Sequence, residues 1–122
     1  MNIYAENILD HFKNPRGKRE LADPTVSHEE VNLACGDKLT IHLKIEDGAI
    51  KEAAWEGSGC AISLGAMSIL WEKLEGMKVK NATEMSEDDI REMLGVPISK
   101  RRSKCAFLCL EGFKNALFDL TP

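Results

Sequence analysis

No stretch of the chain approaches the ~18 consecutive apolar residues that a membrane-spanning helix requires, and the opening MNIYAENILDHFKNPRGKREL lacks the basic-then-apolar order of a secretory signal. Basic charge is not in excess either: 16 Lys and Arg stand against 20 Asp and Glu, for a net charge of −4. That balance argues against a sequence-independent grip on phosphate backbones, so neither nucleic acid nor a membrane is expected as a partner. There is no internal repeat and no low-complexity stretch. Cysteine is sparse, with four in the chain. These absences together predict a cytoplasmic protein, and in a reducing compartment the four thiols read as metal ligands or nucleophiles rather than as two disulfides.

What is present is the balance of an ordinary globular chain, 122 residues with 43% hydrophobic and 30% charged positions. Residues 1–122 are expected to form one domain with one core. A chain of this length buries roughly two-thirds of its unfolded surface, so a metal is not needed merely to keep it folded. Any metal site is then a matter of function.

Ile3, Tyr4, Ile8, Leu9 and Phe12 recur at helical spacing and predict a short helix over 3–12, which Asn14-Pro15-Arg16-Gly17 ends. Residues 18–28, polar and holding Pro24, read as a surface loop with His28 solvated; His11 and His42 are unremarkable in the pattern. From Asp37 to Ile45 the chain alternates strictly, with Leu39, Ile41, Leu43 and Ile45 on one face of a half-buried strand. Asp47-Gly48 is a hairpin signal, Ala49–Trp55 the returning strand, and Glu29–Ala34 a weaker third one. After Gly57-Ser58-Gly59 the period becomes helical, with Ile62, Ala66, Ile69, Leu70 and Leu74 on one side through to Gly76, so Cys60 opens a helix. Ser86 with Glu87, Asp88 and Asp89 starts a short helix that stops at Gly95 and Pro97. A last helix runs from about Ser103 to Leu120 with Cys105 in its first turn. Strands first and helices after predict an α+β two-layer sandwich, a small three-stranded antiparallel sheet packed by helices.

Three short motifs carry candidate chemistry. In Asn32-Leu33-Ala34-Cys35-Gly36-Asp37, a thiol and a carboxylate flank a glycine that permits a turn, so both groups can aim at one ion; a buried cysteine beside an exposed aspartate is the plain alternative. In Gly57-Ser58-Gly59-Cys60-Ala61-Ile62-Ser63, glycines allow close backbone approach and the helix start favours a thiolate, against the simpler reading of a small residue at a tight turn. In Arg101-Arg102-Ser103-Lys104-Cys105, cations precede a cysteine at another helix start; Arg101 reads as a solvated loop charge, whereas Cys105 reads as functional. Cys109 shares a helical face with Cys105 and a pair at this spacing can chelate, but it sits among Phe107, Leu108, Leu110 and Phe113 and reads as core.

These motifs, together with Ile8-Leu9-Asp10-His11-Phe12-Lys13-Asn14-Pro15-Arg16 and Lys104-Cys105-Ala106, occur in the order found in the IscU/SufU/NifU N-terminal family of iron–sulfur cluster assembly scaffolds, which the chain resembles over nearly its whole length. The resemblance implies an α+β fold that gathers Cys35, Cys60 and Cys105 at one exposed tip as ligands, with Asp37 as the aspartate that coordinates zinc or influences cluster release. Cys109 matches no family ligand. Lys104 stands where the IscU branch has histidine, and Arg102 fits the Arg-x-Lys-Cys pattern of SufU, so the last motif is SufU-like; the short interval from Cys60 to Cys105 is instead like IscU. Ala34 replaces the usual proline, and Val96-Pro97-Ile98-Ser99-Lys100 stands near where a Leu-Pro-Pro-Val-Lys stretch recruits a dedicated Hsp70, which argues against that partner.

The function implied is a scaffold that takes sulfur from a cysteine desulfurase of the SufS or IscS type as a persulfide on Cys105 or Cys35, combines it with iron, holds a [2Fe–2S] cluster and passes it to apo iron–sulfur proteins. An alternative is a zinc-dependent sulfurtransferase in which Zn²⁺ occupies Cys35, Asp37, Cys60 and Cys105, with Lys104 and Arg102 in support. A third reading, a purely structural zinc module, fits an aspartate ligand less well, since structural sites favour Cys₄ or Cys/His sets.

Overall fold

The computed structural model of the chain describes residues 3–34 and 36–119, with backbone alone for Ile3 and Tyr4; Cys35 and the expected end of the last helix at Leu120 lie outside the described residues. Helix α1 (Ile3–Lys13) is followed by strands β1 (Val26–Asn32), β2 (Asp37–Glu46) and β3 (Ala49–Ser58). Helices α2 (Ala61–Leu74), α3 (Val79–Thr83), α4 (Glu87–Leu94) and α5 (Ser103–Phe118) complete the order, the last preceded by a 3₁₀ turn at Lys100–Arg102.

The sheet runs β1-β2-β3 with both pairs antiparallel. The alternation in β2 does what a period of two requires: Leu39, Ile41 and Leu43 are fully buried, and Ile41 lies opposite Trp55 of β3. Asp47 and Gly48 both take positive φ, 53° and 75°, the backbone twist that a two-residue hairpin needs. Helix α5 packs on β1 and β2, α2 packs on β3 and α5, and α1 lies on α2, so one face of the sheet is covered and an α+β two-layer arrangement results. Trp55, Phe113, Met67, Leu70 and Leu108 fill the space between the layers. Cys109 belongs to this core: it is fully buried, and burial pushes its thiol up to about 12, which removes it from thiolate chemistry.

Several local expectations are revised. β1 begins at Val26 rather than Glu29, so His28 is not a solvated loop residue; its ring sits 2.8 Å from Glu30 Oε1 and 3.1 Å from Asp119 Oδ2, tying the strand to the end of α5. β1 is polar because it is an edge strand, and that hides it from a hydrophobic-pattern reading. His11 is 3% exposed, with Nδ1 2.7 Å from Ser68 Oγ on α2 and Nε2 3.3 Å from Glu72 Oε1. His42 links Ser27 and Glu56 across three strands, at 2.7 and 2.8 Å. β3 continues past Trp55 to Ser58, which carries the chain directly to the next helix start. Ser86 closes a reciprocal capping box with Asp89, and Gly95 ends α4 with φ of 68°, as the sequence pattern predicts.

Candidate metal and sulfur site

Asp37 is the first residue of β2, paired across to Asn32 at the end of β1. The connecting loop is held by the Gly36 N–H donating to Asn32 O at 2.7 Å and the Ala34 N–H to Asn32 Oδ1 at 3.1 Å, and Gly36 takes the positive φ of 78° that this turn demands. At the same end of the sheet β3 finishes with Ser58 opposite Lys38. Gly59 then turns the chain into α2, whose N-cap is Cys60. Cys105 lies in the first turn of α5. One strand start and two helix starts therefore meet at one end of the molecule.

Asp37, Cys60 and Cys105 each bring one ligand atom within 4.8 Å of the others. Asp37 is 4% exposed, whereas both cysteines are half-buried, so the group is anchored on its carboxylate and open on its thiol side. The Cys60 thiol donates to Asp37 Oδ2 at 3.4 Å. The Ser63 N–H donates to Cys60 Sγ at 3.4 Å, so the first turn of α2 presents its unsatisfied amide to the sulfur. The Ser63 hydroxyl donates to Asp37 Oδ2 at 3.0 Å.

Of the residues expected at the site, Asp37, Cys60 and Cys105 are brought together, and Cys35 lies outside the described residues. Lys104 and Arg102 are exposed beside Cys105. Lys104 borders two surface grooves, one formed with Val96, Pro97, Ile98 and Phe107, the other with Asn32, Leu33 and Leu108. Cys109 stays apart from the group, in the core. Ser63 was not among the expected site residues. Its signal is a serine three positions after an N-capping cysteine, a spacing that places its amide and hydroxyl back over the cap.

The model for the NifU-like N-terminal domain matches residues 3–121. The chain belongs to the NifU-like N-terminal domain family. Within it, the chain is 38% identical over 86 residues to the iron–sulfur cluster assembly scaffold protein IscU of Thermotoga maritima, an alignment covering 70% of this chain and 61% of that protein, so it spans less than two-thirds of that relative's length. It is 31% identical over 123 aligned residues to the zinc-dependent sulfurtransferase SufU of Bacillus subtilis, covering 87% of this chain and 83% of the other. A crystal structure from Fervidobacterium islandicum AW-1, of a protein assigned as an iron–sulfur cluster assembly scaffold for the SUF system, superposes with a TM-score of 0.77 at 27% identity, covering 94% of this chain and 96% of that one. The fold of this NifU-like chain is thus shared with solved scaffolds, and among the described residues no helix is long and apolar enough to cross a membrane.

The donor set suits a thiophilic ion. Two thiols and a carboxylate are three donors that Zn²⁺ accepts in tetrahedral geometry, and thiolates are the ligands of iron in [2Fe–2S] clusters. A hard cation such as Mg²⁺ would call for oxygen donors instead.

Proposed function

We propose that this NifU-like domain is an iron–sulfur cluster assembly scaffold, a single domain over residues 1–122 working in the cytoplasm. It accepts sulfur from a cysteine desulfurase of the IscS or SufS type, takes iron and a [2Fe–2S] cluster as cargo, and delivers the cluster to apoproteins. The observation that carries this reading is the convergence of Asp37, Cys60 and Cys105 on one half-open group from three segments remote in sequence. The relatives named as IscU scaffolds support it.

In the sulfur step, the thiolate of Cys105 or Cys35 attacks the outer sulfur of the desulfurase persulfide. A new S–S bond forms on the scaffold and the desulfurase thiolate leaves, so no external oxidant or reductant is needed. Cys35, Asp37, Cys60 and Cys105 are the proposed ligands, and Lys104 and Arg102 supply positive charge beside the accepting thiol. No dedicated Hsp70 is part of this proposal.

A second reading has specific support. Lys104 in place of histidine and the SufU relative favour a zinc-dependent sulfurtransferase, in which Zn²⁺ occupies the same four residues and holds their thiolates ready for the sulfur step. Metal analysis of the purified protein separates the two: a coloured, iron-containing sample supports the scaffold and one bound zinc supports the sulfurtransferase. Faster desulfurase turnover on adding the protein supports both. Its absence, with zinc tightly bound, leaves the structural zinc module.

A further inference from the structure

We infer that Ser63 is a positioning residue that aims the Asp37 carboxylate at the ion, acting through a cradle that Gly59 keeps open. The inference rests on the metal-site reading above and concerns how that site is tuned. Ser63 is completely buried and lies in the first turn of α2, with its hydroxyl pointing back over the cap. The hydroxyl has one proton and three acceptors in reach, Asp37 Oδ2 at 3.0 Å, Cys60 O at 3.2 Å and Cys60 Sγ at 3.5 Å. Cys60 O already accepts the Leu64 N–H at 3.1 Å, so the shorter bond to the charged carboxylate claims the proton. Oδ2 is thereby held on the α2 side, the side from which Cys60 Sγ also reaches it.

Gly59 completes the cradle by what it lacks. A Cβ there would stand 2.7 Å from Asp37 Cγ, 2.8 Å from Asp37 Oδ1 and 2.9 Å from Ser63 Oγ, so any side chain would push the carboxylate out of its seat or break its bond to the serine. A ligating carboxylate fixed in this way spends less free energy on ordering when an ion arrives, and loss of such an outer partner typically costs about 10–100-fold in metal affinity.

The Cys60 carbonyl makes the role separable from a merely structural one. In an Asp37→Ala background the Ser63 hydroxyl turns to Cys60 O, or to the more distant Cys60 Sγ, and stays satisfied, and there the serine has no carboxylate left to position. The test is a double-mutant cycle on the full chain read by Zn²⁺ affinity in chelator competition, with Co²⁺ absorption as the spectroscopic signature of the ligand set and circular dichroism as the check on folding. Ser63→Ala is expected to weaken Zn²⁺ binding about 10–100-fold in the parent protein and to alter the Co²⁺ bands. In the Asp37→Ala background it is expected to change affinity by no more than about twofold. An unchanged affinity, or the same loss in both backgrounds, overturns the inference and leaves the metal reading standing. Should the parent protein bind neither ion, the metal reading itself fails and takes the inference with it. If Ser63→Ala does not fold, Gly59→Ala decides by the same cycle: a loss that disappears when Asp37 is truncated supports the cradle, and an additive loss contradicts it.

Discussion

The Cys60 thiol and the Asp37 carboxylate lie 3.4 Å apart although 23 residues separate them in the chain. The hairpin returns β3 to the start of β2, so the end of one strand and the beginning of the other face each other by register, and Gly59 turns the chain so that the next residue caps a helix. Asp37→Ala and Cys60→Ser are each expected to lower Zn²⁺ affinity by more than the ~10–100-fold typical of losing an outer partner, since each removes a donor atom itself. Chelator competition measures this, and parent-like affinity in either variant would remove that residue from the site.

Cys109 provides the opposite expectation. Its thiol is fully buried and pushed up to about 12 by burial, so it is neither accessible nor nucleophilic near neutral pH. Brief treatment of the metal-free native protein with iodoacetamide, followed by peptide mass spectrometry, is expected to label Cys60 and Cys105 and to leave Cys109 unmodified until the protein is denatured. Equal labelling of Cys109 in the native state would contradict the core assignment. Cys109→Ala is expected to retain metal binding.

Much of this arrangement was legible in the sequence, and for physical reasons. The alternation of Leu39, Ile41 and Leu43, the Asp47-Gly48 turn, the Ser86 cap and the Gly95 stop are local signals, and each lies where the pattern placed it. Cys60 and Cys105 were both placed at helix starts because helix boundaries are also local. What the pattern missed depends on distant partners. His11 reads as an ordinary helix residue until Ser68, 57 positions away, is brought against it. Ser63 reads as one more small residue until Asp37, 26 positions away, arrives over the cap. Helix α3, only five residues long and holding a single buried side chain, Ala82, has too little periodicity to be seen.

His11 gives stability a pH dependence whose direction follows from its surroundings. Burial, then the Arg16 charge, lowers its pKa below the ordinary 6.5, and the nearby carboxylates Glu72 and Asp10 oppose this only in part. The folded protein therefore holds the ring neutral while the unfolded chain binds a proton more readily. The His11 contribution is complete above pH ~6.5 and is lost as pH falls through that value toward the lowered one. Urea midpoints at about pH 7.5 and about pH 5.5 are expected to diverge less in His11→Gln than in the parent. An equal divergence would place the pH dependence elsewhere.

Gly17 is fixed by packing as well as by backbone. It takes φ of 75°, and a Cβ there would run into the indole of Trp71, whose Nε1–H donates to Ala53 O at 2.7 Å. Gly17→Ala is expected to destabilise the fold by about 1–3 kcal/mol through overpacking, with the left-handed backbone adding to it. Equilibrium urea unfolding reads this directly, and an unchanged midpoint would contradict the tight seat of the Asn14–Gly17 turn against α2.

The central claim is tested most directly by sulfur transfer from a cysteine desulfurase of the SufS or IscS type, with iron and zinc determined on the same sample, comparing the parent protein with Cys105→Ser and Cys35→Ser. The expected result is a mass gain of one sulfur atom on the parent protein and its loss in at least one of the two variants, iron or zinc then distinguishing scaffold from zinc-dependent sulfurtransferase. If sulfur never reaches the parent protein while zinc stays tightly bound, the assembly function is contradicted and the site is a structural zinc module.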